Sequence, residues 1–192
     1  MTTPTPISRF FTSKDGLRLH MKDWGAASPA LPVVCLPGLS RTADDFDALA
    51  ARLSPTRRVV ALDYRGRGLS DRDPDWKHYD LFVENIDILT VLEAAGIEAA
   101  IFVGTSRGGL HTMLMTGTRP KALRAVVLND IGPVLDVEGL RRIQSYVGKL
   151  PRPSSWAGAV EITKGIMGAN FTGLSEADWD CLLYTSPSPR DS

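Results

Sequence analysis

Ala99-Ala100-Ile101-Phe102-Val103-Gly104-Thr105-Ser106-Arg107-Gly108-Gly109-Leu110 is the stretch whose reading decides the fold. The apolar run Ala99 to Val103 predicts a buried strand, and a helix from about Arg107 to Gly117 follows it directly. Between them Gly104-Thr105-Ser106-Arg107-Gly108 fits Gly-x-Ser-x-Gly. A serine held at a sharp strand-to-helix turn has a strained backbone that pushes its hydroxyl clear of the sheet. Side chains two residues before and after it would collide with the neighbouring strand and helix. Gly104, Gly108 and Gly109 meet that demand, so Ser106 is the candidate nucleophile. A bare pattern match would favour an ordinary Gly/Ser loop; the strand and helix around it favour the nucleophile.

Working outward, strands and helices alternate. Ile7 to Ser13 and Leu17 to Trp24 read as a hairpin around Lys14-Asp15-Gly16. Pro32 to Leu36 is a short buried strand ended by Pro37-Gly38. Thr42 then caps a helix carrying Phe46, Leu49, Ala50 and Leu53. Val59 to Leu62 is the next buried strand, followed by the loop Asp63-Tyr64-Arg65-Gly66-Arg67-Gly68. From Asp80 to Ala95 the residues Phe82, Ile86, Leu89 and Leu92 recur at helical spacing, and Gly96 supplies the stop. Leu123 to Leu128 is a further strand, closing in Asn129-Asp130-Ile131-Gly132-Pro133. Strands that are apolar on both faces, alternating with helices, predict an α/β fold with a mostly parallel sheet covered on both sides. After Pro133 only helices are expected: Val137 to Val147, Trp156 to Met167, and a start at Ser175, with Trp156 and Met167 as core residues.

Composition narrows the classes. Lys plus Arg and Asp plus Glu number 22 each, interspersed, which argues against nucleic acid or an anionic membrane as partner. An apolar share of 43% supports a sizeable core and argues against disorder. No apolar run approaches the roughly 18 residues of a membrane span. Two cysteines imply no disulfide framework and make a reducing cytoplasm the expected location. Cys35, on an apolar strand, reads as a buried, inert thiol.

Acyl transfer needs donors aimed at the developing oxyanion. In this architecture one is the N–H of the residue after the nucleophile, here Arg107. The other comes from the loop after the third strand, Pro37-Gly38-Leu39, where Gly38 allows close approach and Leu39 N–H is the expected donor. Arg65 and Arg67 read as structural loop residues rather than a phosphate cradle. The Arg107 side chain hints at an anionic substrate group, although helix-surface exposure accounts for it equally.

The Leu36-Pro37-Gly38 loop, the segment Asp63 to Ser70, the elbow at Ser106 and the helical excursion after Pro133 together resemble the α/β-hydrolase superfamily. The similarity is to its esterase, lactonase, peptidase and carbon–carbon hydrolase branch, over roughly Phe10 to Trp179. It implies a core over 1–133 and a partial helical cap over 134–180. It also implies a small-molecule substrate and no cofactor or metal; oligomeric state stays open. Pro37 departs from the family's usual His. A serine rather than an acid at the elbow argues against the dehalogenase and epoxide-hydrolase branches.

The resemblance further implies the order Ser, then Asp or Glu, then His. His20, His78 and His111 are the histidines present, and none stands in that order. Asp130, at the end of the sixth strand, is the acid candidate; the alternative is an acid after a seventh strand, with Asp130 a loop cap. Residues 181–192 are expected to be a non-native tail, because Cys181 to Asp191 resembles one translated frame of a sequencing-library adapter. It is not expected to continue the helix begun at Ser175. The implied base, and the last strands, would then lie beyond Asp180, and this chain would be an inactive fragment. A non-catalytic binding protein on the same fold, or a carbon–carbon hydrolase or cofactor-free haloperoxidase using the same triad, are the alternatives.

Overall fold

The chain reverses direction at Asp15-Gly16, and this turn sets the first strand pair. In the computed structural model, which describes residues 5–25, 28–169 and 171–184, Gly16 takes φ +92°, a conformation that side-chain-bearing residues resist. The Ser13 hydroxyl accepts the Leu17 N–H at 2.8 Å across the turn. Strands β1 (Ile7–Thr12) and β2 (Arg18–Trp24) then pair antiparallel, Ile7 opposite Asp23 and Thr12 opposite Arg18.

Strands β3 (Val33–Leu36) and β4 (Val59–Leu62) are buried at every position, as parallel strands covered on both faces should be. They pair parallel with each other; β3 pairs parallel with β5 (Ala100–Thr105), and β5 with β6 (Leu123–Asn129). The sheet order is β1-β2-β4-β3-β5-β6, with β2 joining β4 antiparallel. Alternate residues feed two cores. Val34, Leu36, Val60, Leu62 and Phe102 pack with Ile88, Val91 and Met115 on one face. Val33, Cys35, Val59 and Ala61 pack with Trp24, Phe46 and Ala50 on the other. Each buried Val, Leu, Ile, Phe or Met among them contributes about 1.5–3 kcal/mol by leaving water. Burial pushes the Cys35 thiol up to about 12, consistent with an inert group.

Thr42 caps a 3-10 turn (Ala43–Phe46) that runs into α1 (Asp47–Leu53). Helix α2 (Leu81–Ala94) is capped by Asp80, whose carboxylate accepts the Phe82 N–H at 2.8 Å, and Gly96 beyond its end has φ +69°. Its buried face differs from expectation. Phe82 and Ile86 are exposed, whereas Glu84, Asn85, Asp87, Ile88, Val91 and Leu92 are buried. The acids can sit inside because arginines meet them: Arg65 pairs with Asp87 and Arg107 with Glu84. Helix α3 (Arg107–Thr118) follows β5 with only Ser106 between them.

A second compact unit starts at Val134. It contains α4 (Val137–Tyr146), α5 (Trp156–Met167) and α6 (Glu176–Tyr184), capped at the first two by Asp136 and Ser155. Among the described residues Val160 and Trp179 are its buried ones, and the Phe171 ring meets Trp179 edge-on at 6.3 Å. Two expectations change here. Trp156 is half exposed, its indole N–H donating to Asp180 at 3.2 Å, because that polar handle is better served at the surface. Helix α6 also runs on through Cys181 to Tyr184 instead of stopping before it. The rest of the tail, 185–192, lies outside the described residues. Among those described, no helix is long and apolar enough to cross a membrane.

Candidate active site

Ser106 adopts φ +48° and ψ −110° between β5 and α3. Its N–H donates to the Asn129 carbonyl at 2.9 Å, and its own carbonyl accepts from Gly109 at 2.9 Å. The backbone is therefore tied to β6 on one side and to the helix on the other. Gly104 and Gly108 are sterically obligatory, and Gly109 is tightly packed. A Cβ on Gly104 would lie 2.6 Å from Gly108 backbone, and one on Gly108 would lie 2.0 Å from the Leu36 carbonyl oxygen. One on Gly109 would meet the Ile131 side chain at 2.3 Å. The Ser106 hydroxyl has no hydrogen-bond partner among the described residues.

The loop after β3 reaches the same place: a Cβ on Gly38 would stand 3.8 Å from the Ser106 Cβ. The Leu39 N–H has no acceptor among the described residues, and the Arg107 N–H, in the first turn of α3, has none within its helix. Both expected donors are thus uncommitted among the described residues. The Arg107 side chain is not available to a substrate anion in the way its position suggested. Its Nε donates to Glu84 at 2.6 Å and its Nη2 to the Tyr79 carbonyl at 3.4 Å.

Behind this turn lies a buried polar group. Glu84 also receives His111 Nε2 at 3.1 Å, and the His111 ring packs against Tyr64 at 5.0 Å. Burial opposes the Glu84 charge, but hydrogen bonds from His111 and Arg107, with the Arg107 charge, outweigh it and hold the carboxyl below its usual range. Burial lowers the His111 pKa despite Glu84, so the ring is neutral, its Nε2 donates, and its buried Nδ1 has no partner. Burial and the Glu84 charge push the Tyr64 phenol well up, so it stays a donor, reaching the Pro37 carbonyl at 3.0 Å.

The other histidines are occupied elsewhere. His20 Nδ1 meets Asp63 at 2.7 Å and Nε2 meets Ser8 at 3.0 Å, while His78 Nδ1 meets Asp73 at 2.8 Å. None of the three bonds to Ser106. Asp130 is exposed, with φ +55°, and makes no hydrogen bond among the described residues, so the local capping bonds offered as its alternative role are not there. Asp15, Asp73 and His78 bring ligand-type atoms within 4.8 Å of one another, but Arg65 Nη1 already donates to both acids, at 2.9 and 2.7 Å. Arg65 is buried in this ion-pair group with Asp87, and Arg67 bonds to two carbonyls, as loop-building residues do.

Tyr64 and Glu84 were not singled out by sequence reasoning, and Arg67 was read only as a loop residue. An acid interrupting the apolar face of a helix, with an arginine on the next element, was the signal available for Glu84. For the Tyr64 and Arg67 bonds to Pro37 and Leu39 there was none, because a backbone carbonyl remote in sequence leaves no residue pattern.

Residues 32–155 match the family described as alpha/beta hydrolase fold. The chain is 35% identical over 131 residues to the 3-hydroxybutyrate-oligomer hydrolase of Cupriavidus necator, an alignment covering 68% of this chain and 45% of that protein. It is 32% identical over 130 residues to the bifunctional esterase/perhydrolase of Acinetobacter calcoaceticus, covering 66% of this chain and 46% of the relative. Among solved structures, an alpha/beta hydrolase from Novosphingobium aromaticivorans superposes with a TM-score of 0.91 at 35% identity, covering 99% of this chain and 67% of that one. The chain spans less than half the length of these two curated relatives.

Proposed function

Because this chain belongs to the α/β hydrolase fold family, we propose that it is the part of a serine hydrolase that carries the nucleophile. The substrate is an ester, lactone or similar acyl compound, cleaved through an acyl-enzyme on Ser106. What carries the reading is the Ser106 backbone, held at φ +48° by glycines that tolerate no Cβ. A strained serine in a turn packed this tightly has no structural purpose that an alanine or glycine would not serve better.

In the proposed reaction the Ser106 oxygen attacks the substrate carbonyl carbon as a base takes its proton. The carbonyl oxygen becomes an oxyanion facing the Leu39 and Arg107 N–H groups. The C–O bond to the alcohol then breaks, the alcohol leaves with the base's proton, and water releases the acid by the reverse path. Asp130 is the candidate acid that orients the base. His20, His78 and His111 are each committed to a carboxylate. None of the three bonds to Ser106, so in this reading none of them is the base, and Ser106 in this chain on its own is unactivated.

The relationship to an esterase/perhydrolase and to the non-heme chloroperoxidase of Streptomyces lividans favours one second reading, in which peroxide replaces water in the deacylation step. Turnover of p-nitrophenyl esters of increasing chain length by the full-length enzyme, with and without hydrogen peroxide, tests both. Ester cleavage lost in Ser106→Ala supports the hydrolase. Full retention in that variant removes it. Binding without turnover in the full-length protein favours the non-catalytic alternative.

A further inference from the structure

Three successive carbonyls of the loop after β3 are each held. Pro37 accepts from the Tyr64 hydroxyl at 3.0 Å, Gly38 from the Arg41 N–H at 3.2 Å, and Leu39 from Arg67 Nε at 3.0 Å. The middle bond is local to the turn. The outer two come from one neighbouring loop, Asp63 to Ser70. In a trans peptide the N–H lies opposite its carbonyl. With the Gly38 carbonyl turned onto Arg41, and the peptides on either side anchored, the Leu39 N–H is left a single direction.

We infer that Tyr64 and Arg67 are positioning residues for acyl transfer, which anchor the carbonyls on both sides of the Gly38–Leu39 peptide and so aim the Leu39 N–H at the oxyanion. This rests on the reading of Ser106 as nucleophile.

The loop that supplies the two anchors is itself fixed. Asp63 accepts the Ala43 N–H at 2.7 Å and the Leu69 N–H at 3.1 Å, and the Ser70 hydroxyl donates to the Asp63 carbonyl at 2.8 Å. A Cβ on Gly68 would lie 2.1 Å from the Asp63 carboxylate, so the loop closes on that acid. Arg65, between the two anchors, is locked by Asp15, Asp73 and Asp87. Arg67 itself makes no ion pair among the described residues; its bonds go to the Leu39 and Gly66 carbonyls. Its removal therefore strands no buried carboxylate, which makes it the cleaner probe. Tyr64 also packs on His111, whose partner Glu84 holds Arg107, the residue carrying the second oxyanion donor. Both donors are thereby braced from one side of the sheet.

Deleting an oxyanion donor outright costs about 10²–10³ in kcat, and loosening one flank of it should cost less. The test uses the full-length enzyme with p-nitrophenyl butyrate, comparing Tyr64→Phe, Arg67→Met, Arg67→Lys and Ser106→Ala. The expected result is a kcat lower by roughly tenfold in Tyr64→Phe and in Arg67→Met, with KM changed by less than about twofold. Affinity for an aryl boronic acid, whose Ser106 adduct presents an oxyanion-like oxygen, falls in step with kcat, and Arg67→Lys recovers part of both. If Tyr64→Phe does not fold, Arg67→Met decides alone. Unchanged kcat and boronate affinity in folded Arg67→Met overturn the inference. So does a loss matched by a fall in folded fraction. Activity retained by Ser106→Ala overturns the nucleophile reading beneath it, and that outcome is distinct from the other two.

Discussion

Ser106 and Asp130 occupy equivalent places on adjacent parallel strands. Each follows a member of the register pair Thr105–Asn129, and each has positive φ, +48° and +55°. They are the non-glycine residues with that conformation among those described. The Ser106 N–H closes the relationship by donating to Asn129. Both side chains therefore emerge at the carboxyl end of the sheet, where open α/β sheets bind ligands.

That placement makes Asp130 testable. In the full-length enzyme Asp130→Asn should lower kcat by about 10³–10⁴, the scale expected when the group orienting a base is lost. Stability should move by less than about 0.5 kcal/mol, as at an exposed residue without partners. Unchanged kcat would assign the acid to another carboxylate.

The glycines around Ser106 should respond in graded fashion. Gly108→Ala drives a Cβ to 2.0 Å from a strand carbonyl that cannot yield, so it should cost at least 3 kcal/mol, roughly the upper end of overpacking. Gly109→Ala meets a side-chain methyl of Ile131, which can shift, and should cost about 1–2 kcal/mol. Gly117→Ala, with nothing within 4 Å, should stabilise by up to about 1 kcal/mol. Urea unfolding of the three variants checks the order.

Acid should destabilise the protein through the group behind Ser106. His111 is held below its ordinary 6.5 by burial, so as pH falls through that value the unfolded chain takes up a proton that the folded chain refuses. Glu84, held below its ordinary 4.5, adds a second loss as pH falls further. Arg107 and Asp87 also face this group; burial holds the Asp87 carboxyl above its usual range, so its protonation works in the opposite direction to that of Glu84. Denaturant midpoints between pH 7.5 and 5 should fall less steeply in His111→Gln than in the parent; equal slopes would exclude His111 as a source.

How much of this was legible in the sequence depends on the range of each interaction. The elbow was readable because its requirement is local: strand, Ser106 and Gly108 lie within a few residues, and the clash they avoid follows from that spacing. The apolar runs of β3, β4 and β5 were readable for the same reason. The α2 face was misread because Glu84 and Asp87 sit inside only by virtue of Arg107 and Arg65, partners that spacing does not reveal. Trp156 was misplaced because aromatic periodicity does not register an indole N–H seeking Asp180. The clamps on Pro37 and Leu39 were invisible, since any residue type presents a carbonyl.

One strand carries a solubility consequence. Sheet edge β6 exposes Val126 and Val127, an apolar edge that templates association. This chain made alone should self-associate, and Val127→Lys should shift it toward monomer by sedimentation velocity. Identical distributions would rule out β6 as the contact.

The most direct measurement is covalent labelling with a fluorophosphonate, read by mass spectrometry of the intact protein and its peptides. The full-length enzyme should gain one phosphonyl group, on the peptide containing Ser106, and Ser106→Ala should gain none. This 192-residue chain should label slower by about 10³-fold or more, because an unactivated serine is a weak nucleophile. Equal labelling of Ser106→Ala, or modification at another residue, would contradict the assignment of Ser106. Rapid labelling of this chain would contradict the reading that none of its histidines is the base.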